Sequence, residues 1–249
     1  MQTYRFFVNK IAENTALIQG EDYNHITTVL RLDVGDSINV FNNEHGEFRA
    51  LIKEINRRDR TILLSIGDKV REREQNMVKI AAAIALIKKE NMELVLEKLT
   101  EIGVDEILPV ITKRSVIRIK EEEKKQARWE KIINEAVKQC GRISAPVVHT
   151  TAGSVEELVK DSGEGIKLLV WEKEERNFLI DEAMKARDAG RILFFIGPEG
   201  GFEQSEAVYL IGSGFIPVSM GDTTLRAETA AILAGGVLIQ GLRRGKWKN

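Results

Sequence analysis

The chain has 249 residues, 43% hydrophobic and 30% charged, with a formal net charge of −1. That length suits two globular domains, and the charge balance excludes a chain that is basic overall, so any RNA-binding surface is a local patch. One cysteine, Cys140, excludes an internal disulfide and a cysteine-built metal site; with no apolar run near the ~20 residues of a bilayer span and no secretory leader, a cytoplasmic protein is expected.

Residues 1–72 read as closely spaced short strands with turn punctuation, the pattern of a small β-barrel or curled sheet. Ser37-Ile38-Asn39-Val40-Phe41 alternates with period two. Asn42 to Gly46 supplies turn residues, Phe48 to Ile55 returns as a strand, and Arg60 to Ile66 follows a charged turn. A helical piece from Tyr23 to Arg31 interrupts, with Tyr23, Ile26, Val29 and Leu30 on one face and His25 and Arg31 towards its edges. Ten Lys/Arg against eleven Asp/Glu in residues 1–72 exclude a basic domain. Arg5, His25, Arg31, Arg49, Arg57, Arg58 and Arg60 could still share one surface of the kind that binds nucleic acid, although an ordinary solvated face is the simpler account of any single one. Gly67 to Asn76 is polar and without apolar pattern. It reads as a linker, so domains of 1–72 and 73–249 are expected.

Beyond it the pattern changes. Ile80 to Ile87 is a continuous apolar run, and a helix follows with Met92, Val95, Leu96 and Leu99 on one face, closed by Gly103. Glu106 to Ile111 is a second strand. A charged run at 120–125 leads into Trp129, Ile132, Ile133, Ala136, Val137 and Cys140, spaced as an amphipathic helix. Pro146 to Val148, Lys167 to Trp171, Ile192 to Ile196 and Phe215 to Ser219 are further strands. Fully apolar strands alternating with helices predict a parallel sheet covered on both faces, with ligands bound beyond the carboxyl ends of its strands.

Two stretches fall at that edge. Gly197-Pro198-Glu199-Gly200-Gly201 has three glycines in five residues, which permits positive φ and close approach of a ligand to the main chain. Its exposed N–H and C=O groups would suit an adenine or ribose, but a tight strand-to-helix turn explains the same residues. It is neither a phosphate-binding Gly-Lys-Ser/Thr loop nor Gly-x-Gly-x-x-Gly. The second stretch is Leu225-Arg226-Ala227-Glu228-Thr229-Ala230. From Ala230 onward the residues are small and apolar on every side, a buried helix. Arg226 and Glu228 stand near its start, where a charge must be paired or used; a structural Arg–Glu contact is the plain alternative, and Thr229 is a candidate N-cap. Gly141 is a candidate C′ residue, and Arg142 beside it meets helix carbonyls or a phosphate. Cys140 reads as core. His45 and His149 have no catalytic partners, and no spacing fits zinc.

At these residues the chain resembles the RsmE-type 16S rRNA uridine-N3 methyltransferases of the SPOUT class. The resemblance runs through Arg5-Phe6-Phe7-Val8, His25-x-x-x-Val29-Leu30-Arg31, Glu97 to Val104, Lys113-Arg114-Ser115, Arg128-Trp129 and Glu135-Ala136-x-x-Gln139-x-Gly141-Arg142. It ends in Ile196 to Gly201 and Leu225 to Ala230, which at this separation are specific to the family. Asn24 stands where the family has the first of two histidines, and Asp222-Thr223-Thr224 where it has Pro or Ser and then Ile.

The resemblance implies an α/β protein with an N-terminal PUA-like β-barrel and a C-terminal SPOUT domain tied in a trefoil knot. It implies S-adenosyl-L-methionine as methyl donor, 16S rRNA of the small ribosomal subunit as substrate, and a homodimer with the pocket near the subunit interface. Leu169, Val170, Trp171, Gly197, Pro198, Glu199, Gly200, Gly201, Met220, Gly221, Leu225, Arg226, Ala227 and Glu228 would line the cofactor pocket. Arg226 would stabilise charge on the uridine carbonyls, with Glu228 orienting it or sharing in proton transfer. Arg5, Arg31, Arg114 and Arg142 would hold the RNA. Two other readings use the same residues: a nucleotide-dependent α/β enzyme, against which the missing Lys-Ser/Thr counts, and an RNA-binding factor without activity.

Overall fold

The structure, a computed structural model, describes residues 4–42, 44–72, 78–115 and 122–242. Asn43, the linker residues 73–76 and residues 120–121 of the charged run lie outside them. The chain divides into two units, residues 1–75 with 137–145, and residues 76–136 with 146–249.

The first unit contains β1 (Arg5–Phe7), β2 (Ile11–Ala12), β3 (Thr15–Gln19), α1 (Glu21–Asn24) running into a π-helical turn (His25–Val29), β4 (Ser37–Asn42), β5 (Gly46–Asn56) and β6 (Thr61–Arg71). The sheet order is β1-β4-β5-β6-β3-β2. β1 runs parallel to β4 and the other pairs are antiparallel. Phe6, Ile18, Ile26, Ile38, Val40, Ile52, Ile62 and Leu64 form its core. The β5–β6 turn is closed by the Asn56 side chain, which accepts from the Arg58 and Asp59 amides at 3.0 Å each, a turn chemistry characteristic of Asn.

Three expectations are corrected here. The helical piece carries a π-turn: Leu30 N–H donates to the His25 carbonyl at 2.9 Å. The extra residue in the turn rotates Val29 outwards, to 68% exposure, while Tyr23 and Ile26 stay in the core. β4 does not alternate; it is buried from Ile38 to Asn42, because its polar residues are used internally. Gly67 to Arg71 is strand rather than linker. It continues β6 against β5 through register shifts, and its outward charges had hidden the pattern.

The internal use of polar groups centres on Glu47, only 2% exposed. Its carboxylate accepts from Arg5 Nε at 2.9 Å, Asn39 Nδ2 at 2.8 Å and Arg71 Nε at 2.7 Å. Arg5 also donates to the Arg142 carbonyl at 2.9 Å, and Arg71 to the Gly141 carbonyl at 2.9 Å. Burial pushes the Glu47 carboxyl up, but the hydrogen bonds from Arg5, Asn39 and Arg71 outweigh it and hold its pKa below the ordinary value.

The second unit alternates strand and helix: β7 (Lys79–Ala85), α2 (Lys89–Ile102), β8 (Glu106–Val110), α3 (Glu122–Cys140), β9 (Val147–Val148), α4 (Val155–Asp161), β10 (Ile166–Val170), α5 (Leu179–Lys185), β11 (Arg191–Ile196), α6 (Gln204–Gly212), β12 (Phe215–Val218) and α7 (Ala227–Leu242). The last turn of α3, from Val137, clusters with the first unit. All six strands are parallel, in the order β12-β10-β11-β7-β8-β9. As predicted, the sheet is covered on both faces, by α2 and α7 on one and α4 and α6 on the other. Gly103 ends α2 in the left-handed conformation at φ 113°, and Gly141 follows α3 at φ 79°, both as the C′ reading requires. α2 and α7 meet closely at Gly235, where a Cβ would stand 2.9 Å from Leu99 Cδ2. Cys140 is only half-buried, one turn past the apolar face that Trp129, Ile133, Ala136 and Val137 bury. Among the described residues no helix is long and apolar enough to cross a membrane, and no His/Cys/Asp/Glu group could hold a metal ion.

Candidate functional site

The loops after β7, β10, β11 and β12 enclose a cavity of about 760 Å³ at the carboxyl edge of the sheet. Among its lining residues are Val170, Trp171, Gly197 to Gly201, Met220, Gly221 and Leu225 to Glu228. Leu169 is a correction. It does not line the cavity and is fully buried in the apolar cluster with Phe195 and Phe215, one residue short of the strand's carboxyl end. Sequence reasoning missed Lys88, Asn91, Glu172 and Ser219, all of which line the cavity. Lys88 and Asn91 come from the loop and helix after β7. That strand is central in the sheet, but strand order cannot be read from periodicity.

The glycine-rich loop is a tight turn, closed by Gly201 N–H donating to the Pro198 carbonyl at 2.9 Å. Gly201 has φ 67°, and a Cβ there would lie 2.6 Å from Glu172 Oε1. At Gly197 a Cβ would meet the Phe202 ring at 3.0 Å. Gly201 is favoured by its left-handed backbone, and Gly197 by the close approach of the Phe202 ring. Glu199 accepts from Lys88 N–H at 3.1 Å.

The opposite wall is the start of α7. The Arg226 carbonyl accepts the first helical bond, from Ala230 N–H at 2.8 Å, so Arg226 occupies the capping position. Thr229 is therefore inside the first turn and exposed, not the N-cap. The Arg226 side chain is exposed on the cavity wall. Glu228 is 9% exposed and accepts from Asn91 Nδ2 at 3.3 Å; a carboxylate in a first helical turn is favoured by the helix dipole. The lining holds four carboxylates, Glu172, Glu199, Asp222 and Glu228, against two cations, Lys88 and Arg226. The Trp171 Nε1 donor is buried without a partner among the described residues.

Of the arginines expected to hold RNA, Arg31 is exposed at φ 56°. Arg142 is half-buried at the end of α3. Arg5 is taken up by Glu47 and two carbonyls, with its side chain 16% exposed. Arg114 donates to the Gly200 carbonyl and pairs with Glu203.

Residues 73–239 match the RNA methyltransferase domain family, and residues 18–62 match the RNA methyltransferase PUA domain. The chain is 30% identical over 239 residues to ribosomal RNA small subunit methyltransferase E of Rickettsia conorii, covering 94% of both chains. It is 31% identical over 230 residues to the protein of that name from Mesomycoplasma hyopneumoniae, covering 92% of this chain and 96% of the other. A solved structure from Legionella pneumophila, holding the bound cofactor SAM, superposes with a TM-score of 0.84 at 30% identity, over 96% of this chain and 98% of that one. The Neisseria gonorrhoeae methyltransferase E shares the fold, with a TM-score of 0.83 at 24% identity, over 96% of this chain and 98% of its own. Likeness over almost the whole length, in both units and in the strands that carry the cavity, places the chain in the ribosomal RNA small subunit methyltransferase E family.

Proposed function

We propose that this protein transfers a methyl group from S-adenosyl-L-methionine to N3 of a uridine in 16S rRNA, in the cytoplasm. The observation that carries this is Arg226, an exposed guanidinium on the cavity wall with no ion-pair partner among the described residues. The cofactor fits the lining. The cavity falls in the range of small-molecule sites, roughly 300–1,000 Å³. The excess of carboxylates suits a ligand carrying a sulfonium and an ammonium against one carboxylate. The loop lacks the lysine and hydroxyl that a nucleotide phosphate would need, which disfavours the nucleotide-dependent reading.

When bound, the cofactor supplies an electrophilic methyl group. N3 of the uridine must first give up its proton, to solvent water, before it can take that methyl group. Negative charge then spreads to the flanking uridine carbonyls. Arg226 stabilises it there, and Glu228, fixed by Asn91, holds the local charge pattern that orients the arginine. The residues lining the cavity from Val170 to Glu228 position the cofactor, and the remaining catalysis is alignment. The base must leave its stack to be reached.

Residues 1–72, as a PUA-like barrel, recognise the RNA, and residues 73–249 perform the transfer. Arg31 and Arg142 contact phosphates, whereas the committed donors of Arg5 give it a positioning role. The placement of β10 between β11 and β12 supports a trefoil knot in the second unit. Apolar side chains exposed on α5 and α7, Ile180, Met184 and Leu233, support a homodimer.

The test is Arg226→Ala, with cofactor affinity and methyl transfer to small-subunit RNA measured separately. Turnover is expected to fall by about 10²–10³, as for loss of a charge-stabilising donor. Normal turnover in a folded variant sinks the assignment. In cells lacking the protein, the N3-methyluridine is absent from 16S rRNA.

A further inference from the structure

The turn after β8 is tied to the segment after β11 by four contacts. Arg114 Nη1 donates to the Gly200 carbonyl at 2.9 Å, and Arg114 Nε donates to Glu203 Oε2 at 2.9 Å. Lys113 N–H donates to Glu206 Oε1 at 2.8 Å, and Lys113 Nζ to Ser205 Oγ at 2.8 Å. The turn is itself fixed: Ser115 N–H donates to the Thr112 carbonyl at 3.0 Å, and Thr112 N–H to Ser115 Oγ at 3.1 Å. The aliphatic stem of Arg114 packs on Gly200, where a Cβ would lie 3.6 Å from both Arg114 Cβ and Cδ.

Global stability does not explain this arrangement. The Arg114 and Glu203 side chains are 47% and 40% exposed, and exposed ion pairs contribute little. The contacts decide something local. Gly200 and Gly201 have no side chains to limit their backbone, so the peptide between them needs an external restraint. Glu199, on the near side, is tied to Lys88 N–H. Arg114 is the tie on the far side, its planar fork holding the Gly200 carbonyl and the residue that caps α6 together.

We infer that Arg114 is a positioning residue for the cofactor loop, holding Gly200-Gly201 in the shape that receives S-adenosyl-L-methionine, and not an RNA contact. This rests on the cofactor reading above. The test compares Arg114→Ala and Arg114→Lys with the wild type, by calorimetric binding of S-adenosyl-L-methionine, by binding of a small-subunit rRNA fragment without cofactor, and by methyl-transfer kinetics. Lysine keeps the charge that a phosphate would need but loses the two-pronged grip. Both variants are expected to raise the cofactor Kd and KM about tenfold, the effect of one lost charge-assisted hydrogen bond. At saturating cofactor, kcat stays near the wild-type value, and so does RNA affinity.

Glu203→Gln, which removes the ion pair without touching the carbonyl contact, shifts the cofactor Kd in the same direction by less. Weakened RNA binding with unchanged cofactor affinity in Arg114→Ala, rescued by lysine, overturns the inference. Should the alanine variant fail to fold, wild-type cofactor affinity in both Arg114→Lys and Glu203→Gln overturns it instead. A wild-type protein that binds no S-adenosyl-L-methionine removes the cofactor reading and this inference together.

Discussion

Replacing Glu47 by Gln tests whether one buried carboxylate organises the first unit. Glu47 is 2% exposed and is shared by Arg5, Arg71 and Asn39. Glutamine keeps an acceptor but removes the charge. Removing one member of a buried ion pair typically costs ~3–5 kcal/mol. Arg71 has a side chain 48% exposed and regains water, so its share is discounted and a loss of about 2–3 kcal/mol is expected. The pH dependence has a definite sign. The folded-state pKa of Glu47 is lowered, so its contribution is full above the unfolded value of about 4.3 and is lost as pH falls through the folded value. Hydrogen exchange at the amides of β4, β5 and β6 gives the opening free energy of this unit alone. In the wild type it should fall below about pH 4.3, whereas in Glu47→Gln it should be lower at neutral pH and flatter in acid. Equal opening free energies in the two proteins at pH 7, with the same acid slope, would refute the reasoning.

Other perturbations probe the second unit. Gly201→Ala forces a side chain into φ 67° and within 2.6 Å of Glu172 Oε1; the left-handed conformation alone costs ~1–2 kcal/mol, so calorimetry should show weaker cofactor binding and a melting temperature lower by about 2–8 °C. Gly235→Ala adds ~1 kcal/mol of helix propensity against overpacking of ~1–3 kcal/mol. Because the nearest atom is the mobile end of Leu99, a thermal melt close to wild type is expected. Phe202→Ala removes a 2% exposed ring set 4.9 Å from Phe195 and packed under Gly197. A loss of ~3–5 kcal/mol should appear in denaturant unfolding, together with reduced cofactor affinity.

The second unit was legible where one physical signal dominated. Ile80 to Ala85 and Leu193 to Ile196 are apolar because both faces of a parallel sheet are covered, and Gly103 marks a left-handed cap. The first unit was harder. Asn39, Asn42 and Glu47 are polar yet buried, so hydrophobicity misstates their direction, and the π-turn breaks the 3.6-residue period just where Val29 was placed inside. In the site, the glycines and the Arg226–Glu228 step carry local signals of backbone geometry and charge. Lys88 and Asn91 carry none. Their role follows only from β7 pairing with β11, a contact across more than a hundred residues of chain.

The bond between Glu199 and Lys88 N–H has a consequence for motion. Lys88 opens α2 without a side-chain cap, so the cap is lent by a loop 111 residues away. Fraying of α2 and loosening of the glycine-rich turn are then one event rather than two. A ligand that stills the turn is then expected to slow amide exchange in the first turn of α2. Because Asn91 in that first turn also donates to Glu228, the same stiffening is expected to reach the start of α7. Filling the cavity thereby firms its own far wall.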